Sequence, residues 1–297
     1  MPGHGNHWEA LYNLEEVRGS FISRMWVEGE TVCRARCMDV RHETEHPEEV
    51  VCLRQGDAAI ANQLLLVTDS KDNSHHVFSG YPVLLDGHRY ALQVKVVRPW
   101  EYGIEGWVEG SLFGELPVSL FDTMFFMGSD QLEQEQWVTY DIAALAYRMR
   151  LAEIMQFQIT EGPLWMLERE ERLGRGESPE EASRPVEVRM DDAAVFLPEG
   201  DDQCDEAYVR GVVQACKTMQ HDGQTVYRVD VIVAKTDNGD FTLPVYVAER
   251  CLDGFVPEIG QPVEATVWIQ GRRVGNVPGL APGNDESAQD QDPVTVH

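Results

Sequence analysis

The fold is indicated by a stretch that occurs twice in related form: GELPVSLFDTMFFMGSDQLEQEQWVTYDIAALAYR at residues 114–148 and GDFTLPVYVAERCLDGFVPEIGQPVEATVWIQGRR at residues 239–273. Both copies contain Leu-Pro-Val, at Leu116–Val118 and Leu243–Val245. A gap of two residues then aligns the alternating apolar positions near the end of each copy. Alternation of this kind is typical of half-buried strands. Proline is tolerated only at the edge or the start of a strand, which constrains both copies alike.

The sequence upstream of each copy extends the repeat. YALQVKVV and GWVEGSLFG precede the first copy, and YVRGVVQA and YRVDVIVAKTDNG precede the second. All four segments are rich in β-branched and aromatic residues, which favours strands. The repeat therefore predicts two β units, at residues 89–150 and 207–278, each with three strands, an irregular or helical connector and a closing strand.

This order of elements resembles the OB fold, a small β-barrel. The second unit is the better match, and its segment VEATVWIQGRR also resembles the closing strand of β-rich modules in uncharacterised bacterial proteins, a likeness that implies no activity. OB-like barrels bind through one strand face, where aromatic rings stack on bases and basic side chains meet phosphates. The resemblance makes six residues candidate binding residues: Trp107, Tyr227, Tyr246, Trp268, Arg272 and Arg273. The alternative for the four aromatic residues is a place in the core, where such rings are more often found.

The rest of the chain divides into three further parts. Residues 1–88 are expected to be β-rich with one short helix at 8–16, and FISRMWV, from residue 21, is expected to be a strand. Residues 151–206 are expected to form a helical insert and an acidic linker, with helices in RLAEIMQF and PLWMLEREERLG and a helix-start signal at Ser178-Pro179. Residues 279–297 have the composition of a disordered tail. The expected fold class is mainly β, of the α+β type.

Charge is the most unusual bulk property of the chain. Fifty-one acidic residues face 24 basic residues, for a formal net charge of −27. A nucleic-acid backbone would meet a repulsive field over most of this surface, which makes nucleic acid an unlikely partner class. Solubility alone accounts for such a charge; the more specific alternatives are a basic partner or mimicry of a nucleic acid on one face. No apolar run is long enough to span a membrane, and the N-terminus lacks the features of a secretion signal, so a cytoplasmic protein is expected.

A short segment satisfies the zinc-peptidase pattern H-E-x-x-H. His42 and His46 would bind the metal from one helical face, and Glu43 would activate the bound water. Pro47 argues against this assignment, because proline disfavours the α conformation in the residue before it. A helix beginning at Pro47 would leave both histidines outside it. We therefore expect a chance match, and keep a zinc-dependent hydrolase as an alternative.

The same region allows a structural zinc site formed by Cys33, Cys37, His42 and His46. The four-residue gap between Cys37 and His42 is far shorter than that of a zinc finger, which favours two half-buried thiols and a solvated turn instead. Phosphate-binding glycine motifs are absent from the sequence. No cofactor and no metal are expected. The function expected overall is non-catalytic: an adaptor whose acidic surface contacts a protein partner, with a hydrolase or a nucleic-acid-binding OB protein as alternatives.

Overall fold

The computed structural model describes residues 4–13, 22–37, 48–56, 59–68, 74–100, 103–153, 156–189, 193–199 and 205–275. These residues are predominantly β, as the sequence predicts, with short helices. The strands are β1 (Glu30–Cys37), β2 (Glu48–Gly56), β3 (Ile60–Thr68), β4 (His75–Leu84), β5 (His88–Pro99), β6 (Gly106–Leu112), β7 (Leu116–Asp122), β8 (Trp137–Leu151), β9 (Gln156–Ile159), β10 (Val186–Arg189), β11 (Val195–Glu199), β12 (Glu206–His221), β13 (Gln224–Thr236), β14 (Gly239–Ala248) and β15 (Pro262–Arg273). The α-helices are α1 (22–28), α2 (Pro163–Gly174) and α3 (Pro179–Ala182), and three short 3-10 segments lie at His4–Ala10, Ser129–Gln131 and Glu249–Cys251.

The N-terminal sheet is an antiparallel meander in the order β1-β2-β3-β4. Its central strand β3 is buried along almost its whole length, which explains its continuous apolar sequence. The helix considered from Pro47 onwards does not form, because residues 48–56 are a strand. Instead, β2 is a strand in which Val50 and Val51 pair with β1 on one side and β3 on the other, a setting that suits β-branched side chains.

The prediction of a strand in FISRMWV is wrong, because residues 22–28 are helical. The helix ends at Gly29, whose N–H donates to the carbonyl of Met25, and a Cβ at Gly29 would lie 2.4 Å from that oxygen. Met25 is fully buried, whereas Ile22 and Val27 are exposed. The apolar residues are therefore not on alternate sides of a strand, and the glycine that ends the helix is the signal that decides between the two readings.

Nine strands form one large sheet in the order β11-β12-β13-β14-β8-β15-β7-β6-β5, with further pairings of β12 with β15 and of β8 with β5. These pairings close two circuits. One runs β5-β6-β7-β15-β8 and returns to β5, and the other runs β12-β13-β14-β8-β15 and returns to β12. The two closing strands predicted from the repeat, β8 and β15, pair with each other and belong to both circuits. The predicted units at 89–150 and 207–278 thus share strands.

The first strand of each circuit bends in the same way. β5 pairs with β8 over His88–Gln93 and then with β6 over Leu92–Pro99. β12 pairs with β15 over Glu206–Val212 and then with β13 over Val212–His221. In both strands a register shift follows within a few residues of the change of partner. Bulges of this type increase the local bend, which lets one strand serve two neighbours.

The two prolines of the repeat lie where the ladder tolerates them. Pro117 pairs with Ser111 on β6, before β7 reaches its other neighbour at Phe121. Pro244 pairs with Asp230, one residue before β14 begins its parallel pairing with β8. Neither proline therefore removes a hydrogen bond from a doubly paired position.

The N-terminal sheet packs against the large sheet through a buried polar contact. The Gln270 side chain accepts from the backbone N–H of Leu84 and donates to the carbonyl of Pro82, both at 2.9–3.0 Å. Beside it, the Tyr81 ring meets Phe121 and Trp268 edge to face. Apolar residues of both sheets belong to one continuous core.

The N-terminal segment lies across the junction of the two sheets. A helix over 8–16 was expected. Within the described residues 4–13, a 3-10 segment spans His4–Ala10 and residues 11–13 are not helical, and residues 14–21 lie outside the described part of the chain. Trp8 donates to the carbonyl of Gly80, and Arg250 donates to that of Tyr12. These tertiary hydrogen bonds fix the position of residues 4–13.

The insert between β8 and β11 contains both strands and helices. The helix expected in RLAEIMQF does not form, because β8 continues to Leu151 and β9 begins at Gln156. The helix expected in PLWMLEREERLG is confirmed as α2. The helix-start signal at Ser178 is also confirmed: its hydroxyl accepts from the N–H of Glu181, whose carboxylate accepts from the N–H of Ser178. The expected tail at 279–297 lies outside the described residues.

Candidate functional site

The four aromatic residues proposed for binding lie in the core. Tyr246 and Trp268 are fully buried, and Trp107 and Tyr227 are less than a tenth exposed. The Tyr246 hydroxyl donates to the carbonyl of Asp86, and the Trp268 ring N–H donates to the Asp205 carboxylate. None of the four rings presents a face to solvent, so a binding role for them stays a prediction.

The two arginines proposed beside them are both in ion pairs. Arg273 is buried against Asp122, at 2.9 Å, and also donates to the carbonyls of Met124 and Gly128. Arg272 is partly exposed and pairs with Asp141, also at 2.9 Å. Their guanidinium groups are thus engaged by the protein's own acceptors, and their role in ligand binding likewise stays a prediction.

The zinc hypotheses cannot be placed in the structure. His42, Glu43 and His46 lie outside the described residues. Cys33 is buried in β1, and Cys37 is the last residue of that strand. Among the residues whose placement is described, no group of three or more His, Cys, Asp or Glu side chains could hold a metal ion.

In the same part of the chain, no helix is long and apolar enough to cross a membrane.

One surface cleft, of about 270 Å³, is lined by Arg148, Arg150, Tyr208, Glu264 and Thr266. Its two arginines do not make it basic. Arg148 pairs with Asp253 at 2.6 Å, and Arg150 pairs with Glu264, which also accepts from the Tyr208 hydroxyl at 2.9 Å. The cleft is therefore closer to neutral than a phosphate-binding groove requires.

The strongest candidate site is the small unit formed by residues 156–189, here called the α2 unit. Its two strands, β9 and β10, pair from Val186 opposite Ile159 to Arg189 opposite Gln156. The helices α2 and α3 lie between them in sequence and pack on each other. Pro163 at the first turn of α2 and the capping box of α3 explain where each helix begins.

The side of α2 that faces α3 is polar. Arg172 is 8% exposed, and its guanidinium donates to the Glu168 carboxylate and to the carbonyl of Arg184, each at 3.1 Å. Arg169 donates to the Ser183 hydroxyl and lies over the Trp165 ring, with its guanidinium carbon 5.7 Å from the ring centroid. Residues 165, 168, 169 and 172 share one face of a 3.6-residue helix.

The opposite side of α2 is apolar and exposed. Leu164, Met166 and Leu167 are 48%, 56% and 57% exposed, and Leu173 is 36% exposed. Phe157 on β9 is 44% exposed. A surface helix normally turns its apolar stripe inward and its charged residues outward. In α2 the polarity is inverted, because Arg172 is buried within the unit while four large apolar side chains face solvent.

Two carboxylates lie within this apolar face. Glu170 and Glu171 are exposed. By helical spacing, Glu170 falls between the Met166–Leu173 side and Leu167, and Glu171 falls between Leu167 and Leu164. The neighbouring arginines pair elsewhere: Arg175 contacts Glu168 and Glu177. The face is therefore both apolar and negatively charged.

Burial changes the acid–base properties of three groups in the core. It lowers the pKa of His7 to about 3, raises the pKa of Glu105 to about 8, and raises the pKa of Asp205 to about 6. In each case the cause is the loss of water around the charged form. Glu105 and Asp205 are buried and the His7 side chain is 12% exposed, so the protonation of these groups bears on stability.

The sequence carries a signal for the exposed face of α2. The leucines and the methionine of PLWMLEREERLG fall within one half of a helix. A helical projection places Leu164 and Leu167 on one flank of a half-turn arc and Met166 and Leu173 on the other. Which half faces the protein depends on where Arg172 finds its partners, and only the structure shows that.

Comparison with protein-family models, with curated proteins and with solved structures finds no match for this chain.

Proposed function

We propose that this protein is a non-catalytic binding protein whose α2 unit docks a basic, amphipathic segment of a partner protein. The observation that carries the proposal is the inverted polarity of α2, with Arg172 buried and Leu167 exposed. Exposed apolar side chains grouped on one face mark interaction surfaces in soluble proteins. The four exposed apolar residues of α2 form such a group.

Apolar burial supplies the driving force for docking. Each leucine or methionine removed from water stabilises a complex by roughly 1.5–3 kcal/mol at full burial. Met166 and Leu167 are the most exposed of the set, and by helical spacing Leu167 lies nearer the middle of the face. A partner helix that laid its own apolar stripe across them would use the helix-in-groove mode of peptide recognition.

Charge defines the partner class. Glu170 and Glu171 would become partly desolvated beneath a bound segment, and buried carboxylates require positive partners. A segment carrying Lys or Arg beside its apolar residues meets this requirement. The net charge of −27 adds a long-range attraction for basic partners and a repulsion for nucleic acids and acidic membrane surfaces.

The same carboxylates disfavour self-association through this face. A two-fold dimer places the same patch of both copies together. Glu170 and Glu171 of one copy would then meet the same residues of the other, without a basic residue of the face to pair them. A different protein therefore fits the face better than a second copy does.

The frame that carries the α2 unit also fits this role. We propose that the two strand circuits are OB-like units related by duplication. Support comes from the matching order of strands, the bent first strands β5 and β12, and the shared closing strands β8 and β15. The α2 unit leaves this frame after β8, so sequence changes in its outward face leave the large sheet untouched.

The experiment measures binding of a synthetic helix by fluorescence anisotropy. The probe is a peptide of about 18 residues with a leucine stripe and a lysine face, long enough for about five helical turns. We expect Leu167→Asp to weaken its binding by about tenfold or more, because an apolar anchor at the centre of the face is lost. Leu197→Asp on β11 is the matched control, since Leu197 is 55% exposed and the charge change is the same.

Three outcomes oppose the proposal. Equal binding to both variants would show that net charge alone attracts the peptide. Equal binding of a matched peptide with glutamate in place of lysine would remove the basic partner class. A dimer of the unmodified protein in light scattering, converted to monomer by Leu167→Asp, would assign the face to self-association.

A further inference from the structure

The N-terminal sheet has two cysteines at directly opposed positions of neighbouring strands. Cys33 on β1 and Cys52 on β2 lie opposite each other in the antiparallel register. Both are buried, at 5% and 0% exposure, and both are reduced in this structure.

We propose that Cys33 and Cys52 form a redox pair, in which hydrogen peroxide converts the two thiols to a reversible cross-strand disulfide. Directly opposed residues of an antiparallel ladder have Cα atoms about 4.5–5.5 Å apart. Disulfides require a Cα separation of about 4.4–6.8 Å. The backbone of β1 and β2 thus already holds the spacing that the bond needs.

The surroundings favour a thiolate at Cys33. The neighbouring Cys52 side chain and the positive charge of Arg54 lower the pKa of the Cys33 thiol. Among the four cysteines whose side chains the structure describes, the other three, Cys52, Cys216 and Cys251, have a raised pKa. Since the thiolate is the reactive form, Cys33 is the sulfur that attacks first.

The chemistry balances with hydrogen peroxide as the oxidant. The Cys33 thiolate attacks one peroxide oxygen, the O–O bond breaks, and hydroxide leaves and is protonated to water, which leaves a sulfenic acid on Cys33. The Cys52 sulfur then attacks the Cys33 sulfur, the S–O bond breaks, and a second water leaves. Two thiols and one peroxide thus become one disulfide and two waters.

The position of the pair suits a reversible bond. Among the described strands, β1 lies at the edge of its sheet and pairs with β2, so Cys33 becomes accessible by local opening of that ladder. The register shift between Thr31 and Cys33 loosens the same ladder. Oxidation would close a loop over residues 33–52 and fasten the edge strand to the sheet. A thiol such as dithiothreitol would reopen it by exchange.

The experiment maps cysteines in the unmutated, fully reduced protein after exposure to hydrogen peroxide. Free thiols are alkylated under denaturing conditions, and peptides are identified by mass spectrometry. We expect a linked peptide pair containing Cys33 and Cys52, formed before Cys216 or Cys251 is modified and removed by dithiothreitol. Two findings would overturn the proposal: sulfinic acid on Cys33 with Cys52 still alkylated, or both thiols unreacted at peroxide concentrations that oxidise Cys216.

Two single variants distinguish the attacking sulfur, Cys33, from the resolving sulfur, Cys52. Cys52→Ser removes the resolving sulfur, so Cys33 should stop at the sulfenic acid and be trapped by dimedone. Cys33→Ser should leave Cys52 unmodified at the same peroxide concentration. Dimedone adducts on Cys52 in place of Cys33 would contradict the assigned order. The mapping on the unmutated protein decides the main question even where a variant does not fold.

Discussion

His7 stacks flat on Trp268, with ring centroids 3.9 Å apart and ring planes within 4° of each other. The contact joins the N-terminal segment to the closing strand β15. His7 also shares a hydrogen bond with the Tyr147 hydroxyl, which donates to the Glu206 carboxylate at 2.7 Å. The segment before β1 is thereby tied to a shared strand of the two circuits.

This contact predicts a loss of stability in mild acid. Burial lowers the pKa of His7 to about 3, so the folded protein keeps the ring neutral while the unfolded chain takes up a proton below its ordinary pKa of 6.5. The stabilisation is complete above pH 6.5 and is lost as the pH falls towards 3. Urea unfolding at pH 7 and pH 4.5 should show this difference, and His7→Phe, which keeps a ring but does not titrate, should reduce it. His76→Phe at an exposed position should retain it, and an unchanged pH dependence in His7→Phe would exclude His7 as the cause.

Glu105 predicts the opposite dependence at higher pH. Burial raises the pKa of Glu105 from 4.5 to about 8, so the folded state holds a proton that the unfolded chain has released. The free energy of unfolding should fall as the pH rises from about 4.5 to 8, by as much as about 5 kcal/mol in total. Glu105→Gln, which stays neutral, should be more stable than the unmodified protein at pH 9 and similar to it at pH 4.5.

Glu133→Gln is the matched control for Glu105, since Glu133 is exposed. It should follow the unmodified protein across the whole pH range. If Glu105→Gln is destabilised equally at pH 4.5 and pH 9, the carboxyl is held by specific hydrogen bonds and its burial does not govern the pH dependence.

The strands could be read from the sequence, but their partners could not. Alternation and the Leu-Pro-Val repeat predict β7, β8, β14 and β15 from local pattern alone. The pairing of β8 with β15, from Leu151 opposite Val263 to Tyr140 opposite Arg273, joins residues more than a hundred positions apart. Local pattern carries no information on such a contact, since any two apolar strands satisfy it equally well.

The candidate site was harder to predict, because its residues break the rule that apolar side chains are buried and charged ones exposed. Burial of Arg172 and exposure of Leu167 are the reverse of what side-chain polarity favours. The aromatic residues selected from the OB resemblance follow the rule instead, and Tyr246 and Trp268 fill the core. Sequence reasoning identified the helix of the α2 unit and its start signals, while the side it turns to solvent depends on tertiary contacts.

Because Arg273 forms a buried ion pair with Asp122, replacing Arg273 should cost much more stability than replacing the adjacent Arg272. Both side chains of this pair are less than a tenth exposed, so Arg273→Met would leave the Asp122 carboxylate buried without its cation. The free energy of unfolding should fall by about 3–5 kcal/mol. Arg272→Met is the control: Arg272 is partly exposed, and its partner Asp141 keeps a second arginine, Arg89, so the loss should be about 1 kcal/mol or less. Equal losses in urea unfolding would show that burial does not set the strength of these pairs.

The bend in β12 should depend on the absence of a side chain at Gly211. It lies where the strand changes from pairing with β15 to pairing with β13, opposite Val263. A Cβ at this position would lie 1.9 Å from the carbonyl oxygen of Ile232, a backbone atom that cannot move without disturbing the β12–β13 ladder. We therefore expect Gly211→Ala to lower the free energy of unfolding by about 3 kcal/mol or more, measured by urea unfolding.

Gly174→Ala is the matched control for the bend, because a Cβ there meets no atom within 4 Å and the residue ends a helix. It should change stability by less than about 1 kcal/mol, in either direction. The bend matters for more than stability, because β12 must serve both β15 and β13 for its circuit to close. Loss of hydrogen-exchange protection in Gly211→Ala should therefore begin at the β12–β13 ladder and spread to β15, and protection retained in both ladders would show that the strand accommodates the methyl group without the close approach seen here.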